Sequence, residues 1–314
     1  MANYPVIKLR PGKDQSLERF HPWVFSGAIA SMPKGIEEGD LVSVVAADGR
    51  HIGVGHYQIG SITVRMLEFG GEDTEIGSEF YARRLADALR LRQALGLDRE
   101  DNNMYRLVHG EGDFLPGLVV DVYGHTAVIQ AHSPGMHFAR MTIADELTKL
   151  PGMPVANVFY KSETTLPYKA GLDPVDQYII GHYYGSVATE NGLQFNIDWL
   201  KGQKTGFFVD QRDNRALLGQ YAHGRRVLNM FCYTGGFSFY AMRGGARLVH
   251  SVDSSAKAID LTNQNVELNF PGDARHQAYA EDAFKYLDRM GDQYDLIILD
   301  PPAFAKHKDA LRNA

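Results

Sequence analysis

Cysteine is almost missing from this chain. Its 314 residues include one, Cys232, so the sequence holds neither an intramolecular disulfide framework nor a cysteine-based zinc site. A reducing, cytoplasmic setting is the matching expectation. Long apolar runs are missing too: none reaches the ~18 residues of a membrane span. The amino terminus, MANYPVIKLRPGKDQ, has no apolar core of signal-peptide length. Positive charge is not in excess. A formal net charge of −6 argues against nonspecific coating of nucleic acid, while leaving room for a local basic face. The 12 histidines are scattered, with no HExxH or paired ligand spacing, so no metal site is expected.

What is present is ordinary in bulk and organised in detail. Hydrophobic residues at 44% and charged residues at 22% describe a chain able to bury cores, and its length suggests two or three units. Residues 1–71 read as β structure: PVIKLRP, DLVSVVAADGRHIGVGHY and SITVRMLEF are short, rich in β-branched residues and separated by turn formers such as Asp48-Gly49. A compact barrel or sandwich follows. The period then changes. SEFYARRLADALRLRQALGL sets Phe80, Leu85, Ala88, Leu89, Leu91 and Leu95 on one helix face. Arg83, Arg84, Arg90 and Arg92 read as a solvated opposite face. Three strands follow in YRLVHGEGD, LPGLVVDVYG and HTAVIQAHS, then a helix over 136–150 and a strand in NVFYKSE. Residues 72–188 thus form a small α+β domain. His109, Glu111 and Asp113 shape a turn there rather than an acid–base site.

Residues 189–314 carry the clearest pattern. GLQFNID reads as part of a hairpin and DQRDNRALLGQYA as a helix. From Arg225 strand and helix alternate, with strands ending at RVLNMF, RLVHSVD, the stretch before Asp282, and YDLIILD. Such alternation means parallel strands with crossover helices, a doubly wound α/β sheet. Ligands of that architecture sit beyond the carboxyl ends of the strands. Chemistry-bearing residues stand at each end: Tyr233-Thr234-Gly235-Gly236 at the first, Asp253 at the second, Asp282 at the third and Asp300-Pro301-Pro302-Ala303-Phe304 at the fourth. Each has a plain structural reading. A Gly-Gly pair is usually a turn, Asp253 or its neighbours Ser254 and Ser255 suit a helix N-cap, and so does Asp282. A double proline often only ends a strand. Their joint placement favours a nucleoside-bearing cofactor. A nicotinamide dehydrogenase would want G-x-G-x-x-G at the first turn, and that fingerprint is absent. S-adenosylmethionine (SAM) has no phosphate to cradle, so a looser turn suffices. An acidic-Pro-Pro-aromatic strand end suits a flipped base, held at its polar edge and stacked on its face.

On these motifs the chain resembles the large-subunit ribosomal RNA cytosine-C5 methyltransferases of the 23S rRNA methyltransferase I type. HPWVFSGAI with SITVRML resembles the family's PUA domain and YRLVHGEGDFLPGLVVDVYG its central EEHEE domain. GQKTGFFVDQRDNR with the four strand ends resembles its Rossmann-like catalytic domain. The resemblance implies SAM as methyl donor, 5-methylcytosine as product and large-subunit ribosomal RNA as partner, with no membrane role. A homodimer is compatible with it. It implies that Phe231, Tyr233, Gly235, Asp253, Asp282 and Asp300 line the SAM pocket, with Gln203, Lys204, Phe208, Asp210 and Arg212 closing it. Asp300 would also help hold the base and Phe304 stack on it.

Cytosine C5 is a poor nucleophile until a cysteine thiolate adds to C6. Cys232, beside the cofactor turn, reads as a packing residue. The family's nucleophile lies in a Ser-Cys-Ser-like motif after a fifth strand, which the resemblance places beyond Ala314, some ~80 residues being needed to complete an ordinary doubly wound domain. Methylation of an exocyclic base amine, or RNA and SAM binding without turnover, are the alternatives.

Overall fold

A computed structural model describes residues 4–70, 74–167, 170–291 and 293–302. The chain divides into two compact units. One comprises residues 1–185 and 197–209, the other 186–196 and 210–314. The short stretch 186–209 therefore serves both.

The first unit begins with β1 (Val6–Leu9), β2 (Trp23–Phe25), β3 (Ile29–Ser31), β4 (Leu41–Val45), β5 (His51–Tyr57) and β6 (Ile62–Phe69). They form one six-stranded sheet in the order β2-β6-β5-β4-β1-β3. The β1–β4 pair is parallel and its other pairs are antiparallel. Alternation along β1, with Ile7 and Leu9 buried beside exposed Val6 and Lys8, shows why: one face lines a core with Val24, Val42, Val44, Val64 and Met66.

Helix α1 (Ser78–Ala94) packs on a second core formed with β7 (Met104–His109), β8 (Leu118–Tyr123), β9 (Thr126–Ala131), α2 (Pro134–Phe138), α3 (Arg140–Lys149), β10 (Asn157–Tyr160) and β11 (Gln177–Ile180). The sheet order is β11-β10-β9-β8-β7. Each fully buried leucine here, such as Leu85 or Leu107, contributes about 1.5–3 kcal/mol. Three expectations change. Leu91 and Leu95 are exposed, while Tyr81 and Arg92 are buried. Arg92 is covered because its guanidinium meets the Asp113 carboxylate and its Nε donates to the Arg106 carbonyl at 2.8 Å. Arg84 likewise lies over Phe80 and Phe114 and bonds Glu68. The helix expected over 136–150 is two helices, parted at Ala139. Glu111 and Asp113 do build a turn: Asp113 accepts from the His109 amide at 2.6 Å, and Glu111 accepts from the Trp23 indole at 2.9 Å.

The second unit opens with the hairpin β12 (Val187–Glu190) and β13 (Leu193–Asn196), then α4 (Arg212–Tyr221). Alternation follows: β14 (Arg226–Met230), α5 (Gly236–Arg243), β15 (Leu248–Asp253), α6 (Ala256–Asn269), β16 (His276–Ala280), α7 (Ala283–Arg289) and β17 (Leu296–Leu299). The four last strands are parallel, in the order β16-β15-β14-β17. This is the doubly wound α/β sheet expected. The chain steps outward from β14 through β15 to β16, then returns to β14's other side. That reversal makes the carboxyl ends of β14 and β17 the switch point at which sheets of this kind bind ligands.

Candidate active site

The turn leaving β14 is a constrained stretch of backbone. Phe231, Tyr233 and Gly235 have φ of 55°, 49° and 81°. For the two aromatic residues this left-handed conformation costs about 1–2 kcal/mol each, so surrounding contacts must hold it. They do so at Tyr233 from both sides. Its amide donates to Asp253 Oδ2 at 2.9 Å, and its carbonyl accepts from Thr262 Oγ1 at 3.1 Å. Gly235 tolerates no side chain: a Cβ there would lie 2.7 Å from Phe239 Cζ and from Thr262 Cγ2. The hydroxyl of Thr234 is buried without a hydrogen-bond partner among the described residues.

Asp253 ends β15. Its Oδ1 accepts from the Ser255 amide and its Oδ2 from that of Tyr233, both at 2.9 Å. The carboxylate is thereby oriented, and each oxygen keeps a lone pair for a hydroxyl donor. The cap of α6 is Ser255, whose hydroxyl accepts from the Ala258 amide. Asp282 does cap a helix: its Oδ1 accepts from Phe284 and Lys285 amides at 3.1 Å at the start of α7. Both bonds fall on one oxygen. Asp300 follows β17 and is exposed, as are Pro301 and Pro302. Phe304 lies outside the described residues. The parallel register aligns Met230 with Val252 and Leu299, and Asp253 with Ala280. The β14 turn, Asp253, Asp282 and Asp300 therefore share one edge of the sheet.

Cys232 is 7% exposed. Burial, and then the nearby Asp253 charge, push its thiol well above the usual range. A thiol held protonated is a packing group, not a nucleophile. Asp210 is exposed ahead of α4, and Arg212 begins that helix with Nε 3.2 Å from Asp213.

Gln203, Lys204 and Phe208 belong to the first unit's segment 197–209. Lys204, at φ 48°, sets its ammonium 4.5 Å from the Phe208 ring centroid. The segment is tied down by its own neighbours. Trp199 stacks on Tyr123 with rings 5.9 Å apart and 9° from parallel. Lys161 Nζ donates to the Trp199 and Gly202 carbonyls at 2.6 and 2.7 Å. Thr205 donates to Asp121 at 2.5 Å.

Two residues at the turn escaped sequence reasoning: Thr262 and Asn265, both fully buried on α6. Polar side chains three apart on an otherwise apolar helix face were the available signal. Among the described residues, no group of three or more His, Cys, Asp or Glu is placed to hold a metal, and no helix is long and apolar enough to cross a membrane.

Residues 167–313 match the family model described as S-adenosylmethionine-dependent methyltransferase, and residues 7–69 match a PUA-like domain. A ribosomal RNA large subunit methyltransferase I from Alteromonas mediterranea is 41% identical over 313 residues, covering 98% of this chain and 78% of the relative. A protein of the same name from Klebsiella pneumoniae is 36% identical, covering 99% and 78%. The fold has a solved counterpart in a SAM-dependent methyltransferase from Streptococcus mutans. The TM-score is 0.78 at 22% identity, over 95% of this chain and 77% of that one.

Proposed function

The chain belongs to the ribosomal RNA large subunit methyltransferase I family, and from that premise we propose that it transfers a methyl group from SAM to a cytosine C5 of large-subunit ribosomal RNA in the cytoplasm. The observation that carries the reading is the doubly clamped turn Phe231–Gly235 beside an oriented Asp253, at the carboxyl edge of a parallel sheet.

The residues fit the cofactor. Its ribose hydroxyls are donors, and Asp253 offers oriented acceptors. The adenine amine is a donor, and Asp282 has the oxygen that its helix cap does not use. The turn brings Phe231 and Tyr233 to the same edge and lacks the G-x-G-x-x-G glycines of a pyrophosphate site, which a sulfonium nucleoside does not need. SAM supplies an electrophilic methyl group. Asp300, exposed beyond β17, accepts from the polar edge of the base, and Phe304 supplies a stacking ring. Gln203, Lys204, Phe208, Asp210 and Arg212 complete the set through family resemblance. Burial of Cys232, which pushes its thiol up, speaks against it as the thiol that C5 chemistry needs; Cys232→Ala is expected to retain SAM binding.

Native protein incubated with methyl-labelled SAM and ribosomal RNA, followed by nucleoside mass spectrometry, tests the proposal. Label in 5-methylcytosine is expected. Label on an exocyclic amine would replace the C5 reading, and no label in any RNA would remove the RNA substrate.

A further inference from the structure

We infer that Thr262 and Asn265, on one face of α6, are positioning residues for the cofactor turn. The inference rests on the reading of Tyr233–Gly235 as part of the SAM site.

The turn needs outside help because two of its non-glycine residues are left-handed. Asp253 supplies one restraint, on the Tyr233 amide, and an acidic residue at that strand end was legible in the sequence. Cys232 donates its amide to the Val252 carbonyl at 3.0 Å, and further restraints come from α6. The Thr262 hydroxyl lies 3.1 Å from the Tyr233 carbonyl and 2.9 Å from that of Ala258, so its proton is shared between the helix and the turn. The side chain's methyl group is what a Cβ on Gly235 would strike. Thr262 thus meets the turn at Tyr233 and Gly235 while remaining fully buried.

Asn265 stands three residues further on, on the same face. Its Nδ2 reaches the next carbonyl of the turn, Thr234, at 3.5 Å, while its Oδ1 accepts the Asn196 amide of β13 at 2.7 Å. One turn along, Asn269 exchanges two bonds with the Gln194 backbone, Oδ1 accepting at 2.8 Å and Nδ2 donating at 2.7 Å. The polar face of α6 therefore grips the β12–β13 hairpin and the cofactor turn together. Packing alone would be served by valine and leucine at these buried positions. The hydroxyl and the amide are used for backbone carbonyls whose direction decides where Tyr233 points.

The test compares SAM affinity by calorimetry with thermal stability across a small variant set. Thr262→Val keeps the side chain's shape and removes its proton; Kd for SAM is expected to rise roughly tenfold, the scale of one buried hydrogen bond. Thr262→Ser restores the proton but leaves a methyl-sized void. Its Kd should return close to wild type although its melting temperature falls. Asn265→Ala should raise Kd roughly threefold, and it reads the same restraint should Thr262→Val fail to fold. If Kd simply follows melting temperature across the set, the residues are structural and the inference is overturned. Asp253→Ala is the control for the site itself. Wild-type affinity in that variant removes the SAM-site reading and the inference with it. Weakened binding there, with Thr262→Val and Asn265→Ala unaffected, overturns the inference alone.

Discussion

Each compact unit holds a fully buried carboxylate, and each gives it an arginine fork and a hydroxyl. In the first unit Asp121, on β8, accepts from Arg106 Nε and Nη2 at 2.8 and 2.9 Å and from Thr205 at 2.5 Å, while Tyr123 bonds the same threonine. In the second, Glu190, at the end of β12, accepts from Arg215 Nε and Nη2 at 2.8 and 2.6 Å and from the Tyr240 hydroxyl at 2.9 Å. The difference lies in the arginine. The Arg106 side chain is 24% exposed, whereas that of Arg215 is 3% exposed. One pair can lean on water when disturbed and the other cannot. The targets differ as well. Asp121 fastens the segment bearing Gln203, Lys204 and Phe208 to its own sheet, and Glu190 joins a hairpin to α4 and α5. Neither pair is catalytic in the proposed chemistry; each fixes a piece of backbone that carries or adjoins candidate site residues.

The comparison predicts a ranking. Glu190→Ala should be the most damaging change, because it strands a buried guanidinium. A loss of about 3–5 kcal/mol is expected, read as a fall in the urea midpoint. Asp121→Ala should cost less, about 2–3 kcal/mol, since Arg106 can rehydrate. Equal losses would show that arginine exposure does not control the cost.

Acid should affect both units in the same direction. Burial lowers the pKa of His56 in the first unit and His276 in the second to about 4, the latter helped by His250. Both stay neutral when folded, while the unfolded chain takes up a proton near 6.5. Their stability contributions are therefore complete above pH 6.5 and are lost as pH falls from 6.5 toward 4. By pH 5 each has cost about 2 kcal/mol. Urea titrations at pH 7.5 and pH 5 on His56→Gln and His276→Gln should each show a smaller acid loss than wild type. An unchanged loss would mean that the histidine in question does not drive it.

Asp121 also shows why part of the molecule was hard to read. A charge inside LVVDVY is a visible anomaly in an apolar strand, yet its partner Thr205 is 84 residues away. Periodicity reports that a position is buried, not what covers it. The same limit explains α1, where Arg92 took a core place that the leucine pattern had assigned to Leu91 and Leu95. It also explains Thr262 and Asn265, whose roles exist only once the β14 turn lies against α6.

The amino-acid sequence by itself determined the kinds and order of the elements after Arg225, the glycine turn after β14 and the acidic residues at the following strand ends. Those depend on local periodicity and on residue chemistry carried within a few positions. Tertiary structure alone decided that β17 returns beside β14, that 186–196 and 197–209 serve different units, and which groups hold the left-handed turn in place. Each of these is a contact between residues far apart in the chain, selected by the burial and hydrogen bonding of the whole fold.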